Sequence, residues 1–254
     1  MNNLELIALE GIPLVEPGDD IADIIFSSLE KHQFKLRDGD VFVIAQKIIS
    51  KSENRYAYLN QINPTSEALR LSKETNKDPK LVQLILNEST KVVRNRKGVI
   101  VVEHKLGFVH ANAGIDKSNI KSEKENPRVL LLPKDPDLSA LKIKEKIMKR
   151  TNFKIGIIIN DSSGRAWRNG IVGIAIGSSG VDVLLDLRGH KDLYGNSLEV
   201  TEVGKADEIA SAASLLMGQA NEAFPVVLVR GLAVSDDKRD AKALLRDPSE
   251  DLFR

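Results

Sequence analysis

Two segments place oxygen-bearing side chains directly after apolar runs. In HANAGIDKSN these are Asp116 and Asn119, and in IIINDSSGR they are Asp161 and Ser162. Carboxylates and hydroxyls are hard ligands suited to Mg2+ or Mn2+ beside a phosphate chain, so two aspartates from separate strand ends can converge on one ion. Spacing alone equally allows each aspartate to brace a turn through nearby backbone amides. In AQKIISKSENR, Lys47 and Lys51 are four residues apart and share a face if the segment is helical. Compact ammonium groups there would neutralise charge during phosphoryl transfer, although solvated helix lysines are common. Arg165 and Arg168 offer planar forks for a carboxylate or phosphate. Gly164, Gly170, Gly173, Gly177 and Gly180 permit tight turns, a ligand's approach to backbone, or close strand packing.

Other chemistries lack their residues. No G-x-x-x-x-G-K-[ST] or G-x-G-x-x-G sequence occurs, so neither common phosphate loop is present. The four histidines, at 32, 104, 110 and 190, have no zinc-site spacing. Thr75-Asn76-Lys77-Asp78 reads as a helix boundary, and Trp167 as a packing anchor.

The elements that position these residues follow from periodicity and punctuation. LELIAL, VFVIAQ, IGIII and PVVLVRG are short buried strands. Helices are expected over about 20–32, 47–53, 65–75, 79–89, 137–150 and 205–217, several opened by Asp or Pro at the first turn. KVVRN and VIVVEHKLGFVHA form an antiparallel pair turning at Arg96-Lys97-Gly98, and 114–128 is a long exposed loop. Two short strands (171–176 and 180–185), the loop RGHKDLYGNS and the strand LEVTEV follow the glycine-rich stretch, and a charged helix is expected from Asp236. Strands and helices interleave without a βαβ rhythm. The expected class is α+β, with a mixed, largely antiparallel sheet, flanking helices and two intimately packed lobes.

Composition narrows the partners. The 254 residues carry 37 basic and 36 acidic side chains, so no global field steers nucleic acid or an anionic membrane to the protein. Aromatic residues make up 4%, too few for base-stacking platforms. There is no cysteine, which removes disulfides and thiolate nucleophiles. The start MNNLELIALEG lacks a signal peptide's pattern, and no run reaches the ~18 apolar residues of a membrane span; cytoplasmic residence is expected.

Taken together, GIPLVEPGDD, DGDVFVIAQKIISK, HANAGIDKSN, LLPKDPDLSA, NDSSGRAWRNGIVGIAIG, GHKDLYG, ADEIASAASLLMGQ and PVVLVRG resemble, in order and spacing, the coenzyme F420:L-glutamate ligase family over residues 5 to 233. The resemblance implies a GTP-dependent amide ligase. GTP would phosphorylate the carboxylate of the F420 deazaflavin precursor, L-glutamate would displace the phosphate, and a second glutamate would be added through a γ-linkage. It also implies Mn2+ or Mg2+ at two sites, an assisting K+ and an intertwined homodimer. Ile12, Pro13, Leu14, Val15, Gln46, Lys47, Lys51 and Asn119 fall where the family contacts GTP, as does the segment Met217, Gly218, Gln219, Ala220, Asn221, Glu222, Ala223 and Phe224. Asp116 and Asp161 match its metal-ligating aspartates, Ser162 and Gln219 further metal positions, and Lys51 joins the two aspartates in catalysis.

The chain departs from the family pattern where SKSENR replaces S-K-x-E-G-R, with Asn54 able to take the left-handed backbone that glycine supplies. Asn160 and Ser162 stand where threonine is usual. A single ligase domain over 1–254 is expected, with a charged tail and without the nitroreductase-like domain some relatives carry. The competing readings are a metal-dependent phosphohydrolase using the same aspartates and a nucleotide-binding module without turnover.

Overall fold

The computed structural model describes residues 3–232 and 239–253. Its central sheet has the order β1-β12-β2-β8-β9, built from β1 (Glu5–Ala8), β2 (Val41–Ala45), β8 (Gly156–Arg165), β9 (Arg168–Ser179) and β12 (Val226–Arg230). The β2–β8 pairing is parallel and the other three are antiparallel. A three-stranded antiparallel sheet contains β4 (Ser89–Arg96), β5 (Val99–His104) and β6 (Val109–Ala111). Two-stranded ladders join β3 (Tyr56–Tyr58) to β7 (Arg128–Leu130) and β10 (Leu185–Asp186) to β11 (Glu202–Val203). The helices are α1 (Ile21–Lys31), α2 (Gln46–Ser52), α3 (Ser66–Thr75), α4 (Pro79–Asn87), α5 (Pro136–Thr151) and α6 (Lys205–Met217). The fold is thus α+β with mixed sheets. Among the described residues no helix is long and apolar enough to cross a membrane.

The central strands are continuous apolar runs because both their faces are covered. Alternation sends Phe42, Ile44, Ile157, Ile159, Val226 and Leu228 into a core shared with α1, α2 and α5. Val41, Val43, Ile158, Val227 and Val229 enter a second core against α6. A third core lies between α3, α4 and β5, around Leu71, Val82, Ile85, Ile100 and Val102. Side-chain caps start several helices: Asp20, Thr65, Asp78 and Asp135 each accept a backbone N–H of the first turn.

Four expectations need correction. VIVVEHKLGFVHA is two strands, split by a turn in which Gly107 N–H donates to His104 O at 2.8 Å. The strand expected to end at Ile159 continues through Asp161 to Arg165, because β9 supplies a pairing partner beyond the end of β2. The strands expected at 171–176 and 180–185 are one strand over Arg168–Ser179, followed by non-strand backbone to Leu184. LEVTEV pairs only at Glu202–Val203. The helix expected from Asp236 begins outside the described residues, and in 239–253 only a short 3-10 turn, Ala241–Leu244, is helical.

Candidate active site

Chain direction concentrates the singled-out residues at one end of the central sheet. β1, β2 and β8 run one way and β12 the other. The loop containing Ile12–Val15 leaves β1, the helix bearing Gln46, Lys47 and Lys51 leaves β2, and 217–224 enters β12, all at that end. Register adds the aspartate: Ala45 pairs with Asn160, so Gln46, the first residue after β2, and Asp161 of β8 each follow directly on that pair. Crevices outside the carboxyl ends of parallel strands are a recurrent ligand position in open sheets.

Hydrogen bonds join the long loop to this end. Gln46, buried at the start of α2, donates Nε2–H to Asp116 Oδ2 at 2.6 Å and accepts from Ser50 Oγ at 3.0 Å. Lys47 Nζ lies 3.3 Å from Asp116 Oδ1 and donates to Ser118 Oγ at 3.0 Å. Asn119 donates to the carbonyl of Ala220 at 2.8 Å, tying the loop after β6 to the loop before β12. Both loops need left-handed backbone, at Asn119 (φ 56°) and Ala223 (φ 61°). At Gly218 the carboxyl end of Glu222 occupies the space of a Cβ.

The expected helix segment is α2, and Asn54 has φ 54°, the glycine-like conformation anticipated for it. Gly18 N–H donates to Ser52 O at 2.9 Å, placing the Ile12–Val15 loop beside α2. Within that loop Val15 is buried while Leu14 is exposed.

Asp161 and Ser162 diverge, as adjacent strand residues must. Asp161 Oδ2 faces His110 Nε2 at 3.2 Å. Ser162 Oγ donates to Gln219 Oε1 at 2.8 Å, on the α6 side where Asn160 also bonds Ser214. Sequence reasoning missed His110. Its signal was present in the apolar-flanked pair Val109 and Ala111 around a single imidazole, but its partner is 51 positions away. Arg165 and Arg168 lie at the exposed hairpin end of β8–β9, where Arg165 donates to the carbonyl of Asn169.

This end of the sheet is electrostatically mixed. Burial raises the pKa of Asp116, opposed by Lys47 and reinforced by the charge of Asp161. Burial lowers the pKa of Lys51, helped by Lys47 and opposed by Glu16. Asp116 thus feels the charges of Lys47 and Asp161, and Lys51 feels that of Asp116. Asp161 Oδ2 is buried without an aligned hydrogen bond. The carboxylates of Asp116 and Asp161 are hard donors, and Ser162 with Gln219 is a separate pair of oxygens on the α6 side, where they bond each other; either pair has the chemistry of hard-cation ligands. Among the described residues no three acidic or histidine side chains cluster tightly enough to hold an ion. A cation there would draw its remaining oxygens from elsewhere, such as a phosphate chain.

Fold and site together define an α+β protein that gathers carboxylate, ammonium, hydroxyl and amide side chains at one end of a mixed sheet. The family model of F420-0:gamma-glutamyl ligase matches residues 11–231. Curated relatives named coenzyme F420:L-glutamate ligase are 46% identical in Methanothermobacter thermautotrophicus, over 99% of both chains, and 44% identical in Methanocaldococcus jannaschii, over 99% of this chain and 97% of the relative. The relative of that name in Archaeoglobus fulgidus is 41% identical over 99% of this chain and 96% of its own. The chain belongs to the F420-0:gamma-glutamyl ligase family.

Proposed function

We propose that this protein is a GTP-dependent coenzyme F420:L-glutamate ligase. The observation that carries the reading is identity of 41–46% to ligases of that name over 96–99% of their length. The carboxylate of the F420 precursor attacks the γ-phosphorus of GTP, releasing GDP and forming an acyl phosphate. The amine of L-glutamate then attacks the acyl carbon, expels phosphate and loses a proton to form the amide. A second round extends the product through the γ-carboxylate.

In this reading Lys47 and Lys51 sit against phosphate oxygens, with Lys51 half-buried and charge-coupled to Asp116. Asn119 and the 217–224 segment, joined through Ala220, form one wall of the nucleotide site, and Ile12–Val15 the other. Asp116 and Asp161 would hold one Mn2+ or Mg2+ and Ser162 with Gln219 would serve a second, and these ions would neutralise phosphate charge, with K+ assisting. Gln46 and Lys47 keep the Asp116 carboxylate aimed. Acylation and phosphoryl transfer then depend on alignment and charge rather than on a protein nucleophile. A homodimer belongs to the same reading, in which a second copy would cover exposed apolar side chains such as Leu193 and Tyr194 of the loop between β10 and β11.

Mass spectrometry of a reaction containing GTP, Mn2+, L-glutamate and the precursor checks this, with Asp116→Asn and Asp161→Asn in parallel. Glutamyl additions by the wild type and a loss of at least 100-fold in each variant are expected, the scale of removing a group that stabilises transition-state charge. GDP release indifferent to glutamate and precursor would point to a phosphohydrolase. GTP binding with no turnover would point to a binding module.

A further inference from the structure

His110 has no role in the scheme above, yet it links two sheets that supply different halves of the site. Its strand, β6, pairs with β5 through Val102 and leads into the loop carrying Asp116 and Asn119. Asp161 belongs to β8 of the central sheet. His110 Nε2 and Asp161 Oδ2 are 3.2 Å apart. Both atoms are buried, and neither has an aligned hydrogen bond to any other group. The two side chains therefore have each other as their nearest polar partner at those atoms.

The imidazole is held on its other sides. Nδ1 lies 3.0 Å from the carbonyl of Ala111. Phe108 meets the ring edge-on at 6.0 Å, and Phe108 itself stacks on His104 at 5.2 Å with an interplanar angle of 6°. The residue is 8% exposed. A ring so confined transmits the position of β6 to whatever its Nε2 touches.

Asp116 and Asp161 need such a constraint, because two carboxylates serving one site repel each other. A free Asp161 side chain would rotate away from Asp116. We propose that His110 is a positioning residue: it engages Asp161 Oδ2 from the buried side, leaves Oδ1 as the oxygen presented to a divalent cation, and sets the separation of the two aspartates by tying β6 to β8. The inference rests on the proposed reading of Asp161 as a cation ligand. Outer partners that orient a ligating group commonly matter about 10–100-fold in metal affinity.

The test is calorimetric titration of Mn2+ into the GDP-loaded protein, which reads cation binding without turnover. His110→Phe keeps a ring against Phe108 and lacks the nitrogen; His110→Gln restores an amide nitrogen near the Nε2 position. His110→Phe is expected to weaken Mn2+ binding about 10–100-fold, and His110→Gln to recover most of it. In the ligase assay His110→Phe should lower kcat with the KM for glutamate unchanged. Should His110→Phe fail to fold, His110→Asn, whose amide nitrogen sits nearer Nδ1, takes its place with the same expected loss. Wild-type Mn2+ affinity in His110→Phe or in that replacement overturns the proposal, as does an equal loss in His110→Gln, which would mark a packing role alone. The Asp161→Asn control separates the two levels: if it binds Mn2+ as the wild type does, Asp161 is no ligand, and the site reading fails along with this inference.

Discussion

His104 stacks on Phe108, the ring that meets His110 edge-on, and its own environment favours the neutral imidazole. Its Nδ1 accepts the Leu106 N–H at 3.0 Å, and the ring is buried. Burial, helped by the charge of His110, lowers its pKa from 6.5 to about 4. In the unfolded chain the same ring protonates near its ordinary value. The native state therefore binds fewer protons between those two values, and stability falls as pH drops from 6.5 toward 4. The shift corresponds to about 3 kcal/mol. Asp116, Asp137 and Asp207 act in the opposite sense, since burial raises their carboxyl pKa values. A comparison with His104→Asn isolates the histidine, because asparagine retains an acceptor and does not titrate. Urea denaturation at pH 7 and pH 4 is expected to show the wild type losing about 3 kcal/mol more than the variant. Equal losses would remove His104 as a source of acid sensitivity.

At the scale of elements, the glycine-rich stretch is explained by what packs on β9. A Cβ on Gly173 would collide with Ser214 Oγ and come within 2.5 Å of the Ala210 carbonyl and 2.6 Å of Asn160 Oδ1. Gly173 is thus the contact at which α6 lies directly on the β8–β9 hairpin, and Ser211 Oγ donates to its carbonyl at 2.7 Å. Gly177 performs the same service for the start of α5, where a Cβ would meet the Pro136 backbone at 2.5 Å. Gly164 and Gly170 have open space around them; of the two, only Gly170 has positive φ, 82°, near the hairpin turn. Gly173→Ala is expected to destabilise the protein by about 1–3 kcal/mol, as overpacking does. Adding Ser214→Ala should not restore stability, because the Ala210 carbonyl remains in the way. A double variant as stable as the wild type in thermal denaturation would contradict this account.

Across the whole molecule, the outer edge of β9 is closed by side chains rather than by another strand. Asp207 of α6 accepts the Ala175 N–H at 2.8 Å, and Asp137 of α5 accepts the Ser178 N–H at 2.8 Å. Asp137 Oδ1 also accepts from Ala241 N at 3.0 Å, so one oxygen caps the edge and anchors the returning C-terminal segment. Leu244 of that segment packs on the α6-side core. Unpaired edge amides invite pairing with other chains. Asp137→Ala should therefore cost about 1–3 kcal/mol through unsatisfied donors and speed proteolysis within 239–253. Unchanged stability and an equally protected segment would show that the edge and the tail are held by other contacts.

The sequence by itself determined the six helices and the apolar central strands, because period, caps and proline placement are local properties that a few neighbours decide. Asp20 and Asp78 mark helix starts in the chain as they do in the structure. The residues of the proposed site, Asp116, Asp161, Lys47 and Lys51, could be named from residue type and family register, which do not need coordinates. What tertiary structure decided was pairing over long separations. Asp161 lies within a strand, not at its end, because β9 accompanies β8 past β2. His110 meets Asp161, and Gln46 meets Asp116, only because parallel register and the docking of β6 bring together segments 51 and 70 residues apart. No periodicity encodes such a contact; it exists only once separate sheets have buried their apolar faces against one another.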